Sequence, residues 1–520
     1  MNANRLLCAS LYVAGLVIIT ANHAESSSYC CDNDHAYSKT AFSARPQGNY
    51  VFVNLLPTAD ITHRPDNKKN YLDCTLSLGY RHNMDNYELG RYFFTQVGPV
   101  IIGATNTSVD IQNLQLGLAN NYKGSVVMLP TVSDFLADLD FYAGFDKWVK
   151  GGWIRLHLPF VRNAWQACLQ SGTSAVGSNR YPAGFADTST AIVGTIYQNG
   201  GDAMCGDTAF GKIPALSAGK LCCKTNTCWG LSDVHLEFGY DFLRRHRGNL
   251  GVAIIAAIGT GRPTGASCHQ YILTPTIGTQ HSSQCGVALR GQYQLLNFDN
   301  TKTVTLYGDA RVEHIFAGCT QRLLNLTAGG STAFNYWLLL NEYNQAGTYE
   351  GVERAANLLN KKVKVSAAAM GEATVMALTC KDQWRWALGY NFWWRSRENI
   401  TVNDLTISGN NTYYTLKDPG TWGTNLIEKA QGNIAQEPAN AIKSATLARI
   451  KDNAFYSGDI DVCSAQAPAT YSNTFFASIG YHFKDHRCAP FIMLSGNAEW
   501  GRGNTALSTW GLYMQGGIAI

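Results

Sequence analysis

Taken two residues at a time, Trp384–Arg395 separates into two faces. Trp384, Trp386, Leu388, Tyr390, Phe392 and Trp394 fall on one, and Arg385, Ala387, Gly389, Asn391, Trp393 and Arg395 on the other. Successive strand side chains point to opposite sides, so a period of two predicts a strand with one apolar and one more polar face. Residues 231–242 repeat the pattern, setting Val234, Leu236, Phe238, Tyr240 and Phe242 against Asp233, His235, Glu237, Gly239 and Asp241. Similar runs lie at 72–80, 154–160, 475–483 and 507–520. Extending the pattern predicts strands near 48–57, 71–81, 86–97, 109–119, 122–129, 134–146, 151–161 and 231–242. The others fall near 248–259, 302–317, 332–342, 362–379, 382–397, 472–484, 488–501 and 507–520.

Five to six large apolar side chains on one strand face are more than a water-soluble sandwich needs. They suit a strand that meets lipid on one side and a polar interior on the other. The fold expected is therefore all-β: a single transmembrane antiparallel β-barrel of about 16 strands. Connection lengths agree with it, because such barrels alternate short periplasmic turns with long extracellular loops. The short turns are expected at 82–85, 147–150, 243–247, 380–381 and 485–487, and the long loops at 162–230, 260–301 and 398–471. Aromatic rings favour both headgroup zones. Tyr240, Phe242, Trp384, Tyr481 and Phe483 would form the periplasmic rim, and Trp394, Trp500 and Trp510 the extracellular one. Leu388→Arg should be costly on such a wall, and the inward Asn391→Arg far better tolerated.

Composition narrows this further. Charged residues are only 15% of the chain, against about 25% in an ordinary globular protein. Arg5 followed by fifteen apolar or small residues and by Ala21 and Ala24 reads as a secretory signal cleaved near residue 24. Without residues 1–24 there remain 40 basic and 37 acidic residues, a net charge of +3 that argues against a nucleic-acid partner. The expected organisation is a signal peptide at 1–24, a periplasmic segment at 25–47 and a barrel at 48–520. The final strand alternates Trp510, Leu512, Met514, Gly516, Ile518 and Ile520 up to the terminus. This resembles the C-terminal insertion signal of the bacterial outer-membrane β-barrel and porin superfamily, although the last residue is Ile rather than Phe or Trp. Abundant cysteine in a barrel is also similar to the Cys-rich major porins of chlamydiae.

The resemblance implies an outer-membrane channel for passive diffusion of small hydrophilic solutes or ions, embedded in outer-membrane lipid, capable of homo-oligomerising and needing no cofactor. Inward polar positions would then line the pore: Arg155, Asp233, His235, Glu237, Asp241, Asp309, Arg311, Glu313, Glu372, Arg385 and Arg395. Of 15 cysteines, Cys8 lies in the signal and 14 remain, an even number in an oxidising compartment. Cys168, Cys205, Cys222, Cys223, Cys228, Cys268 and Cys285 cluster in or beside two long loops and are candidates for disulfides. No metal site is expected, since Cys222, Cys223 and Cys228 lack a paired CxxC spacing. An alternative function is a structural or adhesive, Cys-cross-linked envelope barrel without an open pore. A third is an outer-membrane hydrolase using His157 or His235 as a base, but GxSxG and HExxH are absent. The expectation is therefore not an enzyme.

Overall fold

The computed structural model describes residues 39–48, 50–58, 70–94, 98–104, 109–177, 185–186, 197–261, 270–298, 302–328, 333–408, 411–417, 432, 434, 446–483 and 488–519. The signal at 1–24, Cys268, and most of 25–47 and of 418–445 lie outside them.

Twelve strands close on themselves. In chain order they are β1 (Tyr71–Asn83), β2 (Thr131–Gly144), β3 (Gly152–Gln166), β4 (Val234–Arg245), β5 (Gly248–Ile258) and β6 (Gln284–Phe298). They continue as β7 (Lys302–Leu323), β8 (Asn360–Lys381), β9 (Trp384–Arg395), β10 (Thr470–His482), β11 (Phe491–Gly501) and β12 (Thr509–Ala519). Each pairs antiparallel with the next, and β1 closes on β12 with Asp73 opposite Ala519 and Asn83 opposite Thr509. Closure leaves no sheet edge open. Two shorter strands, Asn226–Leu231 and Glu398–Val402, extend the sheet beside β3 and β8 without joining the ring.

The period-two pattern decides the faces. Every strand carries large apolar side chains outward, among them Leu72, Phe135, Phe160, Phe238, Ile254, Val287, Phe316, Val375, Leu388, Phe475, Ile492 and Leu512. The intervening residues are buried inside. Among the described residues no helix is long and apolar enough to cross a membrane.

Three differences from the sequence reading have one origin. The runs at 86–97, 109–119, 122–129 and 332–342 are not wall strands. They form the helix Asn86–Phe93, the short strand Ile111–Gln112 with the helical turn Asn113–Leu116, and the strands Lys123–Met128 and Leu339–Asn344 of separate small sheets. The run at 48–57 is a helix, α1 (Val51–Thr58). Conversely β6 was hidden inside the expected loop 260–301, because Cys285 and Gly291 interrupt the apolar run of its outward face. The ring therefore has 12 strands rather than about 16. Three false strands between β1 and β2 also invert the parity of β1, so 82–85 lies at the opposite end from 147–150 and the other short turns.

With that correction the connections sort by length, with one exception. At one end lie the short connections 145–151, 246–247, 299–301, 382–383 and 483–490. At the other lie 84–130, 167–233, 259–283, 324–359 and 396–469, whose described residues build a folded cap, together with the short connection 502–508. The cap contains a four-stranded sheet, a three-stranded sheet and a two-stranded pair. Its core gathers Leu89, Tyr92, Ile102, Leu116, Met204, Leu324, Tyr336, Trp337, Leu340 and Phe455.

Candidate functional site: the filled lumen

Residues 39–58, expected partly outside the barrel and partly in its wall, instead run down its interior from the cap. At the cap, the Thr40 amide donates to Ser464 O at 3.0 Å and Tyr92 Oη donates to Ala41 O at 2.8 Å. Phe42 joins the cap core. Gly48 then passes against β3 in a left-handed conformation (φ +83°), where a Cβ would meet Pro159 Cβ at 2.3 Å. No larger residue fits that approach without displacing the wall.

Below it, α1 is tied to the barrel from several sides. The Val51 amide, an unsatisfied donor of the first helical turn, donates to Glu372 Oε1 at 2.9 Å. Gln515 Nε2 donates to Val53 O at 2.7 Å, and Arg155 Nη2 to Asn54 O at 2.9 Å. Phe52 stacks on Phe476 with ring centroids 4.8 Å apart. Arg45 reaches Glu372 at 2.7 Å and Glu499 at 3.2 Å, while the Tyr50 ring lies between the guanidinium groups of Arg45 (4.5 Å) and Arg81 (4.3 Å). Voids beside this segment measure about 50, 40 and 10 Å³. Each holds a few waters at most.

All eleven residues singled out as inward-facing do point inward and are buried. All but His235 meet charged or polar partners rather than an open channel. Arg290 binds Glu237 at 2.5 Å and Asp309 at 2.5 Å, and Arg311 binds Glu372 at 2.9 Å with Glu313 at 3.6 Å. Arg155 pairs with Asp140 at 2.5 Å. Asp241 accepts from Trp153 at 3.3 Å and Asn249 at 3.0 Å; Asp233 accepts from Thr279 at 2.9 Å and Gln284 at 3.0 Å. Arg385 meets His482, and Arg395 meets Glu398 at 3.4 Å. His235 is 1% exposed, and neither ring nitrogen makes a hydrogen bond within the protein.

Several members of this network escaped the sequence reading. Asp134, Asp138 and Asp140 alternate along β2, so the period-two signal that exposed Asp233 and Glu237 would have found them. Arg81, Arg290 and Glu499 sit on wall strands in the same way. Arg45 and Tyr50 carry no such signal, because the segment holding them is not a strand.

The outer rims follow the expectation except at one residue. Tyr240, Phe242 and Trp384 are exposed near the turn end, and Trp500 and Trp510 near the cap end. Trp394 is buried instead. Among the cysteine candidates, Cys205, the last residue of the helix Gly200–Cys205, forms a disulfide with Cys222; Cys463, not among the candidates, is also disulfide-bonded. Cys285 lies on the outward face of β6, two residues past the connection 259–283. Cys205, Asp207 and Cys222 lie close together, but the disulfide uses both sulfurs and leaves no metal-binding thiolate. Burial would raise the Asp207 carboxyl; the Lys220 ammonium at 2.6 Å outweighs it, and the pKa is lowered.

No family model and no curated protein matches the chain. Among solved structures it is similar to an outer-membrane channel of Pseudomonas putida F1, at 8% identity and a TM-score of 0.35 over 86% of this chain and 95% of that one. It is also similar to the β domain of the Bordetella autotransporter BrkA (7%, TM-score 0.28, 87% and 100%). A third likeness is to the toluene transporter TodX of Pseudomonas putida (6%, TM-score 0.28, 95% and 98%). These values are low.

Proposed function

We propose that this chain is an outer-membrane barrel that passes small hydrophilic solutes or ions, and that residues 39–58 hold it closed in the conformation seen. A closed antiparallel ring with large apolar side chains on all twelve outer faces supports the membrane. Long connections gathered at one end support an outer-membrane orientation with the cap outside the cell and the short turns in the periplasm. Residues 1–24, read as an export signal, fit the same location.

One observation carries the gating part. The lumen is filled by a threaded segment and not by wall side chains alone, and many of its ties to the wall are hydrogen bonds and ion pairs. Such ties exchange for water when the segment moves, while the apolar cluster of Tyr50, Phe52, Val53 and Leu56 with Leu136, Met376 and Phe476 of the wall would have to part as well. Displacing residues 39–58 would uncover a wall of both charge signs, where Arg155, Glu237, Asp309, Arg311, Glu313 and Glu372 would line the path.

The rival reading is a structural or adhesive barrel that never opens, and the folded, disulfide-bearing cap favours it. Planar-bilayer recording separates the two. The full chain should give infrequent conductance steps, and Arg45→Ala, which removes the ties to Glu372 and Glu499, should raise the open fraction severalfold. A heat-modifiable, folded protein that stays silent in both forms belongs to the structural class.

A further inference from the structure

Inside the wall, Asp138 stands beside His157, and His235 lies opposite His157 on the next strand. On β2, β3 and β4, Asp140, His157 and His235 stand directly opposite one another in register, all facing inward, with Asp138 one inward position along β2. Directly opposed strand residues have Cβ atoms about 4.5–5.5 Å apart, within reach of two imidazoles for one ligand. His157 Nδ1 lies 3.6 Å from Asp138 Oδ2, and its Nε2 lies 3.6 Å from Asp140 Oδ1.

Neither oxygen of Asp138 and neither ring nitrogen of His235 makes a hydrogen bond, although both residues are 1% exposed. Among the described residues no Arg or Lys pairs with Asp138, and Arg155 is engaged by Asp140. A buried carboxylate and imidazole without partners call for a water or a cation between them.

We propose that Asp138, His157 Nδ1 and His235 bind one divalent transition-metal ion, zinc, cobalt or nickel in character, within the barrel. Two donors each about 2.0–2.2 Å from a tetrahedral ion stand about 3.4 Å apart, close to the His157–Asp138 separation. Imidazole nitrogen with a single carboxylate selects this class over calcium or magnesium, which take oxygen ligands. Asp140 is a positioning residue: anchored by Arg155 and 3.6 Å from His157 Nε2, it would draw in the other ring N–H of His157 as Nδ1 turns toward the ion. His235 completes the set by rotating its side chain toward His157. The site stands whether or not the lumen opens.

The test is titration of the chelator-treated full chain in detergent with cobalt(II) alone, read by visible d–d absorption and by calorimetry. The expected result is one equivalent bound with the intense bands of four- or five-coordinate cobalt. His157→Gln and His235→Gln should each weaken binding at least tenfold and bleach the bands, whereas the exposed His314→Gln should change neither. Asp140→Asn should keep the stoichiometry while weakening affinity severalfold. Heat-shifted gel migration checks folding, and Asp138→Asn supplies the reading if a histidine variant fails that check. Absence of stoichiometric cobalt, or binding unchanged in the folded ligand variants, overturns the proposal.

Discussion

In the cap, Leu338, Leu340 and Trp337 are fully buried, and the ion pair Glu88–Arg91 sits in solvent with its side chains about 40% exposed. Some tens of residues away, on the wall, the arrangement reverses. Leu388 is 66% exposed, while Glu237 is 0% exposed and clamped by Arg290. One chain thus holds two opposite burial patterns, and the difference teaches that its two regions are built for different surroundings. The cap follows the rule for water in its apolar groups, which are withdrawn, and in pairs such as Glu88–Arg91, although Arg354 and Lys417 are buried there. The wall follows the rule for lipid, where outward polar groups are costly and charges must find partners inside.

The sharpest way to break the comparison is to disturb the same chemistry in both regions. Arg290→Met leaves Glu237 and Asp309 buried without their cation, and should cost about 3–5 kcal/mol in reversible urea unfolding of the membrane-inserted protein. A loss below about 1 kcal/mol would mean that water reaches the lumen. Next in size, Leu340→Ala opens a cavity in the cap core and should cost about 2–5 kcal/mol. Hydrogen exchange should show that loss in the cap amides and spare those of β9. Leu388→Arg places a cation on the lipid face and should cost about 2–4 kcal/mol in vesicles. Leu388→Val should stay near wild type in the same assay. The smallest effect belongs to Glu88→Gln, which breaks an exposed pair and should change stability by at most about 1 kcal/mol.

The wall was legible in the sequence because its two environments alternate residue by residue. Where the outer side chains are large, as in β4 and β9, faces and register follow directly from the pattern. Where they shrink, as at Cys285 and Gly291 of β6, the signal fades and a whole strand disappears into a loop. The cap imitates the wall: residues 109–119 and 122–129 alternate too, but for a water-soluble core that satisfies the same period. The threaded segment was illegible for another reason. Its helix α1 spans only Val51–Thr58, carries Pro57 in its last turn and is buried on every side, so no periodic face marks it. That gap also undid one expectation at Asn391. Its side chain is 0% exposed and donates to Glu372 and Thr374 at 2.7 Å while accepting from Arg45, so Asn391→Arg has no empty lumen to enter.

The account rests on a wall that meets lipid outside and a lumen filled by the chain itself. Nitroxide labels at Leu388 and Phe52, read in vesicles for collision with oxygen and with a water-soluble nickel chelate, test both halves together. The label at Leu388 should be reached by oxygen and not by nickel, and the label at Phe52 by neither. Strong nickel collisions at Leu388 would place the wall in water, and strong nickel collisions at Phe52 would make the lumen an open aqueous pore.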